Sequence, residues 1–234
     1  FMHPHLIKLL SLSALTAGIL AASTGVRAED AKAPSFSAEP CCSLCPAAHD
    51  PKNYTTRYQQ NFTTLVQAQG DWLFRTQEDL RTEFDTTPAG YKRLKQLHDA
   101  FKSKGVELVI VYQPTRGLVN RNKLNPEEKA KYDFDKALTN YKTMLGRFAQ
   151  MGYVVPDLSP LTNESLPDTL PAHDFYFRGD QHWTPYGAQR TAKIVAEKVK
   201  QLPAFADIPK REFETHKSGR MGKTGTLHNM AGQL

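Results

Sequence analysis

The middle of the chain alternates between helix-like and strand-like patterns of apolar residues. Downstream of Thr87-Pro88, apolar side chains recur every three or four positions, at Tyr91, Leu94, Leu97 and Phe101. Threonine is a favourable N-cap and proline is tolerated in the first helical turn, so the pattern predicts a helix that begins at this point. Gly105 is expected to end it.

Two short β-branched runs flank a second helical pattern. Residues 106–112 and 153–155 are almost wholly apolar, which is typical of strands buried on both faces of a parallel sheet. Between them, Asn125-Pro126 predicts the start of a helix that Gly152 ends. The apolar face of that helix carries Phe134, Leu138, Tyr141, Leu145 and Phe148. The order helix, strand, helix, strand predicts an α/β fold in which helices cover a parallel sheet.

A third helix is predicted after Thr184-Pro185, which repeat the cap and the first-turn proline. Its inward face is expected to carry Ala188, Ala192, Val195, Val199 and Leu202. Downstream of Pro203 the sequence is basic, rich in Gly and Lys, and poorly patterned.

The first 28 residues have the pattern of a secretory signal peptide. A short polar entry precedes an almost wholly apolar run over 6–22, and Val26 and Ala28 place small residues where a signal peptidase reads them. We expect cleavage after Ala28, and an uncleaved membrane anchor is the alternative. Residues 29–50 are rich in Ala, Ser and Pro and are predicted to be a tether, and residues 51–234 are predicted to be the folded domain.

Composition places the chain among globular proteins. It has 234 residues, 40% of them hydrophobic and 23% charged, which suits a single domain. Only the N-terminal run is apolar enough to enter a bilayer, and this excludes a multi-span membrane protein. The net charge of +6 falls to +4 without residues 1–28, which hold Lys8 and Arg27 but no acid. This balance suits either an anionic polymer as substrate or an ordinary basic surface, and without a nucleic-acid motif a nucleic-acid partner is not expected.

The three cysteines, Cys41, Cys42 and Cys45, lie close together. An exported chain meets an oxidising compartment in which cysteines do not remain free. The number is odd, and Cys41 and Cys42 could bridge only as a strained vicinal pair. Cys45 is the most natural structural half-cystine, so either two of the three pair locally or a partner lies outside this chain.

Candidate chemistry is concentrated at Asp180 and His182, directly before the predicted helix at Thr184-Pro185. In an Asp-x-His turn the carboxylate can fold back onto the imidazole Nδ1–H and fix the tautomer of a general base. Trp183 would form a wall of the site. This arrangement is the acid and base of a Ser-His-Asp acyl-transfer enzyme without its serine.

Other interpretations of the same residues remain open. A metal site could be built from His173, Asp174, Asp180 and His182, although they lack helical ligand spacing. A purely structural histidine is a further alternative. Ser159 and Ser218 are the local serine candidates for a nucleophile, but neither has a Gly-Asp-Ser or Gly-x-Ser-x-Gly context.

Three segments together resemble the AlgX/AlgJ-type alginate O-acetyltransferases. They are Asp180-Gln181-His182-Trp183-Thr184-Pro185 with Gly187, Trp72-Leu73-Phe74, and Tyr112-Gln113-Pro114-Thr115-Arg116-Gly117. The resemblance runs from about Cys45 to the end of the chain. It implies an SGNH-hydrolase-like α/β/α sandwich with a parallel sheet and a permuted motif order, incomplete at the C-terminus of this chain.

The resemblance also implies an activity. Members of the family carry acetyl on a serine and pass it to mannuronate hydroxyls of alginate, in the periplasm, without a cofactor or metal. By this resemblance Asp180 orients His182, and His182 is the general base. The family serine, the C-terminal carbohydrate-binding module and the disulfide partner of Cys45 are expected beyond Leu234, so this chain alone is expected to be inactive.

The expected partners are alginate and other periplasmic proteins of alginate polymerisation and export, with the chain itself a monomer. A non-enzymatic periplasmic scaffold that binds polysaccharide is the alternative function. Arg116 is a candidate bidentate donor to a uronate carboxylate, with a solvent-exposed loop arginine as the alternative. Tyr176 and Arg178 flank the Asp-x-His motif and are expected to line the substrate groove.

Overall fold

The computed structural model describes residues 46–163, 174–214, 216, 219, 222 and 224–233. The chain divides into two units, 1–31 and 32–234, and every described residue belongs to the second. The predicted signal peptide, the three cysteines including Cys45, most of the tether, His173 and Ser218 lie outside the described residues. Within the described part of the chain, no helix is long and apolar enough to cross a membrane.

The described residues form two strands, β1 (Leu65–Gln67) and β2 (Leu73–Arg75). The helices are α1 (Thr76–Asp79), α2 (Pro88–Lys102), α3 (Arg116–Asn120), α4 (Pro126–Lys131), α5 (Phe134–Gln150), α6 (Pro185–Val199), α7 (Pro203–Ala206) and α8 (Thr226–Ala231). Short 3-10 turns occupy Pro46–His49, Pro51–Asn53, Gln59–Phe62, Arg121–Lys123 and Ser159–Asn163.

The tether predicted over 29–50 does not extend as far as residue 50. Ala48 is fully buried, and its carbonyl oxygen accepts a hydrogen bond of 2.5 Å from the hydroxyl of Tyr54. A segment that buries a side chain and a backbone acceptor in this way is part of the folded body. Folded structure therefore begins a few residues before the predicted boundary.

Strands β1 and β2 form an antiparallel hairpin in which Val66 pairs with Phe74. The turn between them contains Gly70 at φ +62°, a left-handed conformation that glycine adopts without strain. On the hairpin, Trp72 and Phe74 stack with ring centroids 5.9 Å apart. This hairpin is the sheet that the described residues contain.

The predicted parallel sheet is reduced to one parallel bridge between Val109 and Val154 in the described residues. Its two hydrogen bonds run from Ile110 N to Val154 O and from Val154 N to Leu108 O. The next donor on the second segment would be Pro156, which has no N–H, so the ladder ends. None of residues 106–112 is buried, and the prediction that this run is covered on both faces is wrong.

Helix α2 begins as predicted, because the Thr87 side chain accepts a hydrogen bond from Gly90 N. The burial predicted for its apolar stripe is correct only for the first residues of the stripe. Leu97 and Phe101 are 49% and 41% exposed, and His98 takes the buried position beside the ring of Tyr153. Because histidine is polar, a pattern of apolar residues does not identify this buried position.

The helix predicted from Asn125-Pro126 to Gly152 is two helices, α4 and α5. The break lies at Tyr132 and Asp133, where the Asp133 carboxylate accepts from Lys136 N and caps α5. Tyr132 is buried at the break. The signal for the break is a second N-cap residue inside a continuous helical pattern.

Helix α6 begins at the predicted cap, Thr184, and its fully buried positions are shifted by one residue from the predicted face, whose members Ala188, Val195, Val199 and Leu202 are half-buried. Gly187 and Thr191 are its buried residues, whereas Ala192 is exposed. Small residues face inward because the helix lies directly against the chain at Phe175, whose carbonyl oxygen would stand 2.2 Å from a Cβ on Gly187.

Two clusters make up the buried core. The larger cluster joins β2, α3 and α5 through side chains such as Phe74, Leu118 and Tyr141. The smaller cluster brings the hairpin against α8: Tyr54, Phe62, Leu65, Leu73, Leu227 and Met230. The poorly patterned C-terminal part of the chain thus supplies two core side chains.

Candidate active site

The Asp-x-His motif lies at the tip of a hairpin-like loop that runs from residue 174 to 184. Tyr176 and Trp183 form an antiparallel bridge, and Phe177 N donates to His182 O at 3.1 Å. At the base of the loop, the Thr184 hydroxyl accepts from Gly187 N at 3.1 Å and donates to Asp174 O at 2.5 Å. The capping threonine therefore fastens the loop to the start of α6.

Asp180 and His182 meet as the sequence predicted. Oδ1 of Asp180 lies 2.7 Å from Nδ1 of His182 and accepts from the His182 backbone N–H at 2.8 Å. An ionised carboxylate only accepts hydrogen bonds, so Nδ1 must be the protonated ring nitrogen. The lone pair is thereby left on Nε2, and no described residue forms a hydrogen bond with that atom.

The acid and the base differ sharply in exposure. The Asp180 side chain is 1% exposed, whereas that of His182 is 61% exposed. A buried carboxylate behind an accessible imidazole is the arrangement that a general base needs, because solvent cannot compete for the orienting hydrogen bond. Trp183 is also exposed and stands beside His182 at the rim.

A second orienting residue, Thr226, was missed by the sequence analysis. Its backbone N–H and its hydroxyl donate to Oδ2 of Asp180 at 2.9 and 3.2 Å. The turn that carries Thr226 packs closely against the loop at Gly179. This close approach requires Gly225, which has φ +93°, because a Cβ at that position would stand 2.2 Å from Gly179 O. A glycine followed by a threonine in an unpatterned segment was the only signal in the sequence.

Arg116 lies beneath the loop. Its guanidinium donates to four backbone carbonyl oxygens, those of Phe177, Asp180, Leu73 and Arg178. The bonds from Nη2 to Leu73 O and Arg178 O are 2.7 and 3.2 Å long. Arg116 is only 2% exposed.

This environment conflicts with the prediction that Arg116 binds a uronate carboxylate. The guanidinium lies inside the protein, and the carboxylate that it meets is Asp79, whose Oδ2 is 3.4 Å from Nε. Burial lowers the pKa of Arg116, and the Asp79 charge opposes that effect. Neither the substrate-binding nor the solvent-exposed alternative describes this residue.

Tyr176 is likewise enclosed rather than turned toward a groove. It is 6% exposed, and its hydroxyl donates to Pro114 O at 2.5 Å. Burial raises its pKa well above the ordinary value for tyrosine. The prediction that Tyr176 lines the substrate groove therefore conflicts with its burial.

Arg178 differs from Arg116 because its side chain is 28% exposed. It donates to Asp174 at 2.8 Å and to Asp71 at 2.9 Å, and the hydrogen bond with Asp174 is the main cause of its raised pKa. Its assignment to substrate binding stays a prediction.

Of the candidates for a metal site or a nucleophile, the structure describes Asp174, Asp180, His182 and Ser159. In the described ranges, no group of three His, Cys, Asp or Glu side chains is arranged to hold a metal ion. Asp174 is paired with Arg178, and both oxygens of Asp180 are used by His182 and Thr226. Ser159 is 7% exposed, in a 3-10 turn outside the 174–184 loop.

An open cleft elsewhere in the described structure does not contain these residues. It has a volume of about 590 Å³ between α2 and α5 and is lined by Tyr91, Lys92, Lys95, Arg147, Gln150 and Met151. We place the candidate site at Asp180 and His182 because their geometry supports chemistry, whereas the cleft offers no acid and base pair.

The chain is similar in sequence to proteins called alginate biosynthesis protein AlgX. A protein from Pseudomonas fluorescens called alginate biosynthesis protein AlgX is 88% identical over 233 residues, which is 100% of this chain and 48% of that protein. The protein of the same name from Pseudomonas aeruginosa is 52% identical over 227 residues, or 97% of this chain and 47% of that protein. The chain thus spans about half the length of these relatives.

A solved structure described as the structural and functional characterization of Pseudomonas aeruginosa AlgX superimposes with a TM-score of 0.75 and 53% identity. The superposition covers 82% of this chain and 45% of that one. The family model for the SGNH hydrolase-like domain of acetyltransferase AlgX matches residues 65–234. This range includes the hairpin, Arg116, Thr226 and the pair Asp180 and His182, called the dyad below. The chain therefore belongs to the family of SGNH hydrolase-like domains named for acetyltransferase AlgX.

Proposed function

We propose that Asp180 and His182 are the acid and base of an alginate O-acetyltransferase. In this proposal a serine outside residues 1–234 carries the acetyl group, and the acetyl group passes to mannuronate hydroxyls of the polymer. The observation that carries the proposal is the 2.7 Å contact between a buried carboxylate and an exposed imidazole. The family match supports the same chemistry.

The reaction has two matched halves. In the first, Nε2 of His182 accepts the serine hydroxyl proton while the serine oxygen attacks the acetyl carbonyl of a donor ester. The tetrahedral intermediate collapses, the donor oxygen leaves with the proton held by His182, and an acetyl-serine remains.

In the second half, a mannuronate hydroxyl gives its proton to Nε2 and attacks the acetyl-serine. Collapse forms the sugar ester and returns the proton to the serine oxygen. Asp180 stays ionised throughout and stabilises the imidazolium that forms in each half. Both halves require Nδ1 to keep its proton, which is the tautomer that Oδ1 of Asp180 selects.

The substrate and the compartment rest on the relatives and the sequence pattern. The relatives are called alginate biosynthesis proteins. We propose that this chain acts on the same anionic polysaccharide in the periplasm, as a monomer beside proteins of polymerisation and export. The predicted signal peptide over 1–28 and the basic charge balance support this placement. Arg178, whose side chain is 28% exposed, is proposed to line the substrate groove.

The proposal is tested in an alginate-producing bacterium that expresses the natural gene with His182→Ala or Asp180→Asn. We expect His182→Ala to remove acetyl esters from the secreted alginate. Asp180→Asn is expected to lower the rate by roughly 10³ to 10⁴-fold, because an amide favours the wrong imidazole tautomer. Acetyl content is measured by proton NMR of the purified polymer. His216→Ala is the matched control, since that histidine is 81% exposed and its ion-pair partner among the described residues is the nearby Glu214.

The outcome also separates the alternatives. Unchanged acetylation by His182→Ala would contradict the proposal and favour the non-enzymatic polysaccharide-binding scaffold. A different result would indicate an esterase: the purified His182→Ala protein no longer hydrolyses acetyl esters, while the acetyl content of the polymer is unchanged. An esterase and a transferase share the same acyl-enzyme, which water attacks in the one and a sugar hydroxyl in the other.

The serine is located by the intact mass of the protein isolated from the periplasm of its native host. A mass well above that of residues 29–234 is expected, with the acetylated serine on a peptide absent from this sequence. A polypeptide that ends at Leu234 would leave the dyad without a nucleophile and would contradict the enzymatic proposal.

A further inference from the structure

The buried guanidinium of Arg116 connects three segments that are distant in the sequence. It comes from the first turn of α3, and it bonds β2 through Leu73 O. Its other three carbonyl partners, Phe177, Arg178 and Asp180, all belong to the loop that carries the dyad. One of these partners is the peptide carbonyl of Asp180 itself.

A purely structural ion pair would not require this arrangement. The Asp79 carboxylate already balances the charge of Arg116 at 3.4 Å. Three further hydrogen bonds go to the backbone of the loop, and they fix the direction of the peptide carbonyls of Phe177, Arg178 and Asp180. The direction of the last of these carbonyls decides where the Asp180 side chain points, and so where Oδ1 meets His182.

The surroundings favour arginine specifically. The guanidinium carbon lies 5.4, 5.1 and 5.8 Å from the ring centres of Trp72, Phe74 and Tyr176. A planar, delocalised cation can stack among rings while its edge donates in a fixed fork, which an ammonium group cannot do. Lysine at this position would keep the charge and lose most of the directed hydrogen bonds.

We propose that Arg116 is a positioning residue for the Asp180 and His182 dyad, one that holds the loop in the conformation that selects the Nδ1–H tautomer. This inference rests on the proposed function for its effect on rate, whereas its effect on the dyad geometry does not. The negative charge of Asp180 opposes the effect of burial by raising the pKa of Arg116, which favours the charged guanidinium.

The test compares Arg116→Lys with Arg93→Lys in the natural gene product. Arg93 lies on the exposed face of α2, so its replacement is a matched control for the loss of a guanidinium. Two properties are measured: the ring nitrogen NMR shifts of His182, and the kcat and KM for acetyl transfer from 4-nitrophenyl acetate to a mannuronate oligomer.

We expect Arg116→Lys to give a mixture of Nδ1–H and Nε2–H tautomers, with kcat lowered about 10 to 100-fold and KM little changed. Arg93→Lys is expected to keep one tautomer and the kcat of the unmodified protein. A folded Arg116→Lys protein with a single Nδ1–H tautomer and full kcat would overturn the inference, even if its thermal midpoint were lower.

A second variant covers the case in which Arg116→Lys does not fold. The double change Arg116→Met with Asp79→Asn removes both charges of the buried pair, a replacement that proteins often tolerate, and Arg75, the other partner of Asp79, keeps a side chain that is 18% exposed. We expect the same mixed tautomers, and a retained single tautomer would contradict the inference.

The two proposals can fail separately. If His182→Ala keeps full activity, the proposed function fails, but the tautomer measurement on Arg116→Lys still decides the positioning role. If His182→Ala is inactive and Arg116→Lys keeps one tautomer and full kcat, only the positioning role fails.

Discussion

The two carboxylate oxygens of Asp180 have different partners and therefore different tasks. Oδ1 receives the backbone N–H and Nδ1 of His182, and Oδ2 receives the backbone N–H and hydroxyl of Thr226. Because each oxygen is held by its own donors, rotation of the carboxylate plane would break contacts at both ends. Thr226 thus determines the plane in which His182 is held.

We predict that Thr226→Val lowers kcat for acetyl transfer about tenfold. The change removes one donor to a charged oxygen, and tenfold corresponds to about 1.4 kcal/mol, within the range of such hydrogen bonds. The backbone donor of residue 226 remains, which limits the loss. Thr226→Ser keeps the hydroxyl and is expected to stay within twofold of the unmodified protein. Equal losses in both variants would show that the hydroxyl is not the cause.

At this scale the sequence identified the residues whose partners are near in the chain. Asp180 and His182 are two residues apart, so a turn alone brings them together. Arg116 meets its carbonyl partners across as many as 64 residues, and Thr226 meets Asp180 across 46. No local pattern encodes such contacts, and for that reason the sequence does not distinguish Arg116 from a surface residue.

The predictions of secondary structure elements were likewise correct where local contacts decide the structure and wrong where distant contacts decide it. The helix starts at Thr87 and Thr184 were predicted correctly, because capping involves atoms within three residues. The extent of the strand at 106–112 was wrong, because strands need backbone partners elsewhere, and Pro156 ends the available ladder. The inward face of α6 is shifted by one position from the predicted one, because Gly187 lies against the carbonyl oxygen of Phe175 and Thr191 is buried in the place of Ala192.

We predict that two glycine-to-alanine changes in helices have opposite effects on stability. Gly187 lies against Phe175, and a Cβ there would stand 2.2 Å from a backbone oxygen, so Gly187→Ala is expected to destabilise the fold by roughly 1–3 kcal/mol. A Cβ added at Gly146 in α5 would meet no described atom within 4 Å, and Gly146→Ala is expected to add about 0.5–1 kcal/mol. Urea unfolding measures both, and equal signs would contradict the prediction.

Taken together, the described residues enclose several tyrosine hydroxyls that are ionised only with difficulty. Burial raises the pKa of Tyr132, Tyr141 and Tyr176 well above the ordinary value. The hydroxyls of Tyr141 and Tyr176 donate to the carbonyl oxygens of Tyr112 and Pro114. In the unfolded chain all three would titrate near pH 10.

A raised folded pKa contributes stability that is complete below the unfolded value and is lost as pH rises above it. We therefore predict that the free energy of unfolding falls above about pH 10, by up to about 1.4 kcal/mol per pH unit for each such tyrosine. Urea midpoints measured from pH 8 to 11 test this. Tyr141→Phe should reduce the slope by about one proton, and an unchanged slope would exclude Tyr141 as a contributor.

The hydrogen bonds of the Arg116 guanidinium have a further consequence for partial unfolding of the protein. The guanidinium requires β2, α3 and the dyad loop to be in place together, although no two of them are neighbours in the sequence. Separation of any one segment would release the loop, even while the helices remain intact. Catalytic activity should therefore be lost before secondary structure. We expect it to decline at denaturant concentrations where circular dichroism still records full helix content.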